Sequence, residues 1–259
     1  MAKVVAVANQ KGGVGKTTTV VNLGACLAKK GKKVLLIDLD PQGNTTSGFG
    51  LNKETIMNTS YEMLMQDCEI KDAVLKFEEL KLDLLPSSVD LAGAEVELIG
   101  INDRESMLEK DLKEIKKNYD VILIDCPPSL NILTINAFKA ANSILVPIQC
   151  EFYAMEGLTQ LINTINLVKQ KLNPSIEIEG VVFTMYDSRT NLSQQVVDEI
   201  TAFLPKKVFK TMIPRNVRLA EAPSYGLPVI YYDTTSKGSE SYKELAEEFI
   251  QRSLSGKKR

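Results

Sequence analysis

Lys11-Gly12-Gly13-Val14-Gly15-Lys16-Thr17-Thr18 decides how this chain folds. An apolar run, Val4-Val5-Ala6-Val7-Ala8, leads into it, and a helical pattern from Val20 to Ala28 follows. Strand, glycine-rich turn and helix is the context of a phosphate-cradling loop. Glycines let successive backbone N–H groups turn toward an anion, and the helix N-terminus adds partial positive charge. Residues 11–18 therefore form a candidate nucleoside triphosphate loop, with Lys16 reaching the β- and γ-phosphates and the Thr17 hydroxyl reaching Mg²⁺.

The loop departs from the common pattern. Gln10 stands five residues before Gly15, where glycine is usual, and Lys11 adds a second lysine. One lysine suffices for one triphosphate, so Lys11 is expected to point outward, toward phosphates held by another subunit. The alternative is a solvated lysine on a loop.

Working outward, carboxylates close two further apolar runs. Asp38 and Asp40 end Val34-Leu35-Leu36-Ile37 and lie two residues apart, so both side chains face one side if the strand continues. Pro41-Gln42-Gly43 then turns the chain. A carboxylate there can orient an attacking water beside a metal ion and a phosphate; one of the two could instead cap the next segment. Asp125 ends Val121-Ile122-Leu123-Ile124, is followed by Cys126-Pro127-Pro128, and suits a magnesium-holding position.

The chain has 259 residues, 44% of them apolar and 25% charged, which is ordinary for a globular α/β protein. The four cysteines lack CxxC spacing and suit a reducing compartment. There is no histidine, so acid–base chemistry must come from carboxylates, lysines, a metal ion and backbone. The net charge of −2 conceals a local excess. Between Glu199 and Glu221 lie Lys206, Lys207, Lys210, Arg215 and Arg218 without an acid, and binding to a polyanion depends on such patches.

Apolar runs predict strands over 3–9, 33–38, 82–86, 120–125, 143–149, 177–184, 208–213 and 228–232. Helical patterns fill 16–30, 88–96, 104–118, 131–141, 154–172, 191–204 and 238–254. Continuous Val/Ile/Leu runs point to strands covered on both faces, hence a doubly wound, mostly parallel sheet with helices on either side. We expect one domain over 1–259, no N-terminal DNA-reading module ahead of the loop, and a flexible tail at 255–259.

The chain resembles the ParA/MinD superfamily of deviant Walker A ATPases, and most closely the ParA (Soj) partition proteins. The loop carries the resemblance together with Leu36-Ile37-Asp38-Leu39-Asp40-Pro41-Gln42-Gly43-Asn44, Val121 to Ser129, and Glu151-Phe152-Tyr153-Ala154-Met155-Glu156-Gly157-Leu158. It runs from residue 2 to about residue 250. It implies ATP and Mg²⁺ as cofactors and an ATPase that is slow without its partner. Lys11, Lys16 and Asp40 form the implied catalytic set, in which Asp40 polarises the water, and Thr17, Asp38, Asp40 and Asp125 form the implied metal set. Met185, Pro214, Arg215 and Asn216 occupy the adenine neighbourhood.

The resemblance also implies a face-to-face homodimer around two nucleotides, with Lys11, Gly12 and Glu151 at its interface. Glu151 is read either as a contact to the partner's nucleotide or as a helix-start carboxylate. Dimerisation would double a basic surface built from Arg189, Lys206, Lys207, Lys210 and Arg218, and bind DNA without sequence preference. Further implied partners are a ParB-type protein and a replication initiator, in a cytoplasmic, nucleoid-associated setting. A MinD-like membrane-associated ATPase is the alternative, but it needs a basic amphipathic C-terminal helix, and Tyr242 to Ile250 is acidic. An iron–sulfur carrier would need interface cysteines. A metabolic ligase would need a second substrate pocket.

Overall fold

A computed structural model describes residues 2–254. The tail expected at 255–259 lies outside the described residues. The strands are β1 (Lys3–Val7), β2 (Val34–Asp38), β3 (Leu75–Phe77), β4 (Leu82–Leu85), β5 (Val121–Asp125), β6 (Ser143–Gln149) and β7 (Glu177–Thr184). The helices of the first half are α1 (Lys16–Lys29), α2 (Asn44–Gly48), α3 (Ser60–Met65), α4 (Ile70–Ala73), α5 (Leu91–Glu97) and α6 (Met107–Ile115). The second half adds α7 (Ile132–Ala140), α8 (Ala154–Lys171), α9 (Asn191–Phe203), α10 (Val217–Glu221), α11 (Val229–Tyr232) and α12 (Lys237–Phe249).

One sheet runs in the order β3-β4-β2-β5-β1-β6-β7, parallel throughout except for the β3–β4 pair. The expected doubly wound sheet is therefore what forms. Alternate residues of each central strand feed two cores. Val4 and Ala6 of β1, Leu35 and Ile37 of β2, and Ile122 and Ile124 of β5 pack on one face. Val5, Val7, Val34, Leu36, Val121 and Leu123 pack on the other. Burial on both faces is why these strands read as unbroken apolar runs. Parallel register sets Val7 beside Asp125 and Asp125 beside Asp38, so the loop after β1 and two carboxylates share one row at the strand carboxyl ends.

Two expected strands are absent. Residues 208–213 run beside β7, with Val208 bridging Val181 and the Ile213 N–H donating to the Phe183 carbonyl. Between those points Glu248 of α12 accepts the N–H groups of Lys210 (2.8 Å) and Thr211 (2.9 Å), so a carboxylate replaces the ladder. Residues 228–232 form α11 instead, its first N–H donating to Asn22 Oδ1 at 2.7 Å after Pro228. The apolar run there is a buried helical turn, which periodicity cannot separate from a short strand. The sequence reading also missed β3, α2, α3, α4 and α10, all of them short.

One close approach seats α2 against the segment after α10. Gly226 has φ +65°, and a Cβ there would lie 2.6 Å from Gly50 Cα. Gly226→Ala should cost about 3 kcal/mol, the sum of left-handed strain and overpacking, and chemical denaturation monitored by circular dichroism would measure it. An unchanged midpoint would show that the two segments separate freely.

Candidate functional site

The loop between β1 and α1 owes its shape to two glycines and a set of buried tethers. Gly13 and Gly15 have φ of +74° and +85°, the left-handed region where a side chain is strained. Asn9 donates to the Pro147 carbonyl at 2.8 Å and accepts from the Lys11 N–H at 3.0 Å. Thr184 of β7 donates to the Val14 carbonyl at 2.7 Å. Helix α1 has no acidic residue of its own in its first turn, so its own sequence leaves the N-terminal positive end uncompensated. Lys16 is buried, and its ammonium donates to the Lys11 carbonyl at 3.2 Å. Burial pulls the Lys16 ammonium below its usual range, opposed by the nearby Asp125, Cys126 and Asp40.

Both strand-end aspartates are fully buried, and they are satisfied differently. Asp38 Oδ2 accepts from the Thr46 N–H (2.8 Å) and hydroxyl (2.7 Å), while Oδ1 accepts from the Asp40 N–H at 3.2 Å. Asp38 thus braces α2 and the backbone of Asp40, so the capping alternative describes its contacts. Asp125 Oδ2 accepts the hydroxyls of Thr17 (2.7 Å) and Thr45 (2.8 Å), and its Oδ1 is buried with no partner.

Burial pushes the Asp38 carboxyl up, against the hydrogen bonds from Thr46. Burial, and then the neighbouring Asp38 charge, push the Asp125 carboxyl up as well. An orphaned carboxylate oxygen beside a threonine hydroxyl fits a divalent cation, which would satisfy the oxygen and offset the crowded negative charge of Asp38, Asp40 and Asp125. Asp40 stands at the edge of this cluster, 6% exposed. Its carboxylate accepts the Gln42 N–H at 3.0 Å, and Ser87 Oγ donates to its carbonyl at 2.8 Å.

A pocket of about 180 Å³ opens beside the loop, lined by Gly15, Thr18, Met185, Pro214, Arg215 and Asn216 among others. The four residues expected at the base are therefore brought together, with Leu219, Ala220 and Tyr242 as unforeseen apolar lining. Asn216 Oδ1 caps α10 by accepting the Arg218 N–H at 3.0 Å, which leaves its NH₂ as the group able to donate to a ligand.

A family model described as an AAA domain matches residues 2–178. The sporulation initiation inhibitor protein Soj of Bacillus subtilis is 54% identical over 248 residues, covering 96% of this chain and 98% of Soj. The chromosome partitioning protein ParA of Myxococcus xanthus is 50% identical, covering 97% and 89%. This chain belongs to the ParA/Soj family of chromosome-partitioning ATPases. Among solved structures, the cobyrinic acid a,c-diamide synthase of Mycobacterium smegmatis with bound ADP and magnesium superposes with a TM-score of 0.86 at 39% identity, covering 100% of this chain and 98% of that one.

Lys11 stands at the rim of the loop, exposed, and its ammonium is paired with the Glu151 carboxylate of the same chain. Glu151 does not cap α8 with its side chain; its backbone carbonyl accepts the Ala154 N–H at 3.0 Å. The basic residues do not form one patch. Arg189 and Arg218 lie at the carboxyl end of β7, on segments that start at the pocket wall. Lys206 and Lys207 precede the segment beside β7: the Lys207 carbonyl accepts the Val181 N–H at mid-strand, and its ammonium reaches back to 3.6 Å from Glu177. About 10 Å of β7, from Val181 to Thr184, separates the two groups along the strand. Lys210 sits between them, with its N–H held by Glu248.

Sequence reasoning missed Asn9, Thr45, Thr46, Ser87 and Thr184, which position the loop and the carboxylates. Thr45 and Thr46 had one available signal, since they follow a turn that enters from Asp40; the partners of Ser87 and Thr184 lie 47 and 170 residues away.

Proposed function

We propose that this chain is a nucleotide-switched DNA-segregation ATPase that binds ATP and Mg²⁺, dimerises face to face, and then holds DNA non-specifically until hydrolysis. The observation that carries this reading is the row formed by the glycine loop, Asp125 with its unpartnered Oδ1, and Asp38 supporting Asp40. Lys16 and the loop N–H groups bind the β- and γ-phosphates. Thr17 and Asp125 would hold Mg²⁺, which neutralises phosphate charge when bound; Asp38 serves that site indirectly, through Thr46 and Asp40. Asp40 orients the attacking water and accepts its proton as the nucleophile forms.

The adenine enters the pocket between Met185, Pro214 and Asn216, with Thr18 and Arg215 beside it. Lys11 exchanges Glu151 for the phosphates of the other subunit, so assembly reports nucleotide occupancy. Gly12 lies at that interface. Arg189 and Arg218 contact DNA phosphates; Lys206, Lys207 and Lys210 add a weaker, separate contribution. A ParB-type partner accelerates hydrolysis and so releases the DNA, and a replication initiator is a second candidate partner. Among the described residues no helix is long and apolar enough to cross a membrane, and α12 carries Glu240, Glu244, Glu247 and Glu248. The cytoplasmic nucleoid is the compartment this reading requires.

Gel shifts of non-specific duplex DNA with no nucleotide, ADP and ATP test the proposal. Binding should require ATP and persist longer in Asp40→Ala. Arg189→Glu and Arg218→Glu should each weaken it at least about tenfold with ATP binding retained, since each replaces a phosphate-neutralising charge with a repelling one. Absence of binding in every nucleotide state would remove the DNA claim and leave only the nucleotide site.

A further inference from the structure

Both arginines assigned to DNA are occupied by carboxylates of their own chain. Arg189 makes a two-pronged pair with Asp187, Nε to Oδ1 at 2.9 Å and Nη2 to Oδ2 at 2.7 Å. Arg218 Nη1 lies 2.7 Å from Glu221 Oε2, and its Nε lies 3.2 Å from Asp233 Oδ2. Tyr232 fixes the second cluster by donating its hydroxyl to Glu221 Oε2 at 3.2 Å. The Arg189 guanidinium holds the Asp187 carboxyl well below the usual range, and Arg218 lowers that of Glu221. A guanidinium whose fork is filled by a carboxylate has fewer N–H groups to offer a phosphate.

Each of these arginines also hangs from the wall of the nucleotide pocket. Met185, which lines the pocket and has φ +50°, begins the turn that carries Asp187 and Arg189. Asn216, also lining the pocket, is the residue whose side chain caps α10 through the Arg218 N–H. The two segments are joined where they meet the pocket, since Tyr186 bridges Pro214 and its N–H donates to the Ile213 carbonyl at 3.0 Å. A base seated between Met185, Pro214 and Asn216 would therefore touch both arginine-bearing segments at once.

We propose that Asp187, Glu221 and Asp233 are intramolecular counter-ions that keep Arg189 and Arg218 from DNA until a nucleotide fills the adjoining pocket. The inference rests on the reading of these two arginines as DNA contacts. Occupancy of the pocket moves the start of each segment, opens the carboxylate forks, and leaves the already exposed guanidinium groups free to pair with phosphate. The switch is thereby built partly into each subunit, in addition to the doubling of the surface on dimerisation. Exposed ion pairs are individually weak, so this mask sets a graded bias and not an all-or-none block.

The test is DNA affinity of the full chain, measured by fluorescence anisotropy on non-specific duplex without nucleotide and with ATP. The variant is Asp187→Asn/Glu221→Gln/Asp233→Asn, in which each side chain keeps its size and one oxygen acceptor but loses its charge. Exposed pairs of this kind lead us to expect about a tenfold gain in nucleotide-free affinity for the triple variant, with little change in the ATP state. Glu79→Gln/Glu199→Gln/Glu244→Gln removes the same charge at residues that pair with neither arginine and should gain much less. Adding Arg189→Glu/Arg218→Glu to the first variant should erase the gain.

An equal gain in the charge-matched control, or a gain that survives loss of the arginines, would overturn the mask in favour of general electrostatics. Unchanged nucleotide-free affinity, together with loss of ATP-dependent binding in Arg189→Glu/Arg218→Glu, would reject the mask and keep the DNA surface. Indifference of ATP-dependent binding to those arginine changes would instead remove the DNA assignment on which the inference stands.

Discussion

Gly12→Val is expected to fold, bind ATP and remain monomeric. Gly12 does not occupy the left-handed region, and a Cβ built on it meets no heavy atom within 4 Å. The first carbon of the new side chain therefore meets open space in the single chain, and the neighbouring tethers of Asn9 to Pro147 and of Thr184 to Val14 are untouched. Any penalty has to come from a surface brought against the loop from outside. Lys11, next in the chain and held at the rim by Glu151, marks where that surface arrives. Two opposed loops would each carry the intruding side chain. Overpacking of about 3 kcal/mol at such a contact weakens dimerisation roughly a hundredfold. Sedimentation velocity with saturating ATP reads the result directly; a wild-type dimer would rule out close packing at Gly12.

Asp40→Ala should lower ATP turnover by about two to four orders of magnitude while nucleotide binding is retained, the range for removing a proton-accepting group. The substitution is confined to the side chain. The Asp40 backbone stays fixed by Asp38 through its N–H and by Ser87 through its carbonyl, and only the Gln42 N–H loses a partner. Lys16, Thr17 and Asp125 keep their contacts to one another's segments, so ATP affinity measured by calorimetry should stay within about threefold, less than 1 kcal/mol. Phosphate release in single turnover separates chemistry from binding. Wild-type turnover in the variant would move the water-orienting role away from this carboxylate. Loss of ATP affinity would show that Asp40 serves binding instead.

The nucleotide loop and Asp125 were legible because their chemistry and their context sit in consecutive residues. A glycine run between an apolar strand and an amphipathic helix announces itself locally, and so does a carboxylate that ends a run of buried aliphatics. The central strands were equally legible, since burial on both sheet faces removes alternation and leaves only Val, Ile and Leu. Residues 208–213 and 228–232 were misread because an apolar run of five or six residues suits a strand, an edge segment or a buried helical turn alike. Their fates were settled by Glu248 and by Asn22, partners far away in sequence. Short helices such as α2 and α10 carry too few residues for a period to show, yet α2 supplies Thr45 and Thr46 to the two buried aspartates.

By itself, then, the sequence determined that this chain builds a doubly wound sheet, places a glycine-rich loop after its first strand, and ends two neighbouring strands in carboxylates. Those features depend on local composition and on which residues are buried, and both are written along the chain. Only the tertiary structure decided which aspartate braces and which presents an unpartnered oxygen, because that depends on threonines delivered by another element. It also decided that Lys206 and Lys207 stand apart from Arg189 and Arg218, and that each arginine is held by a carboxylate. Charge along a sequence has no direction in space; the strand that separates those groups, and the turns that pair them, supply it.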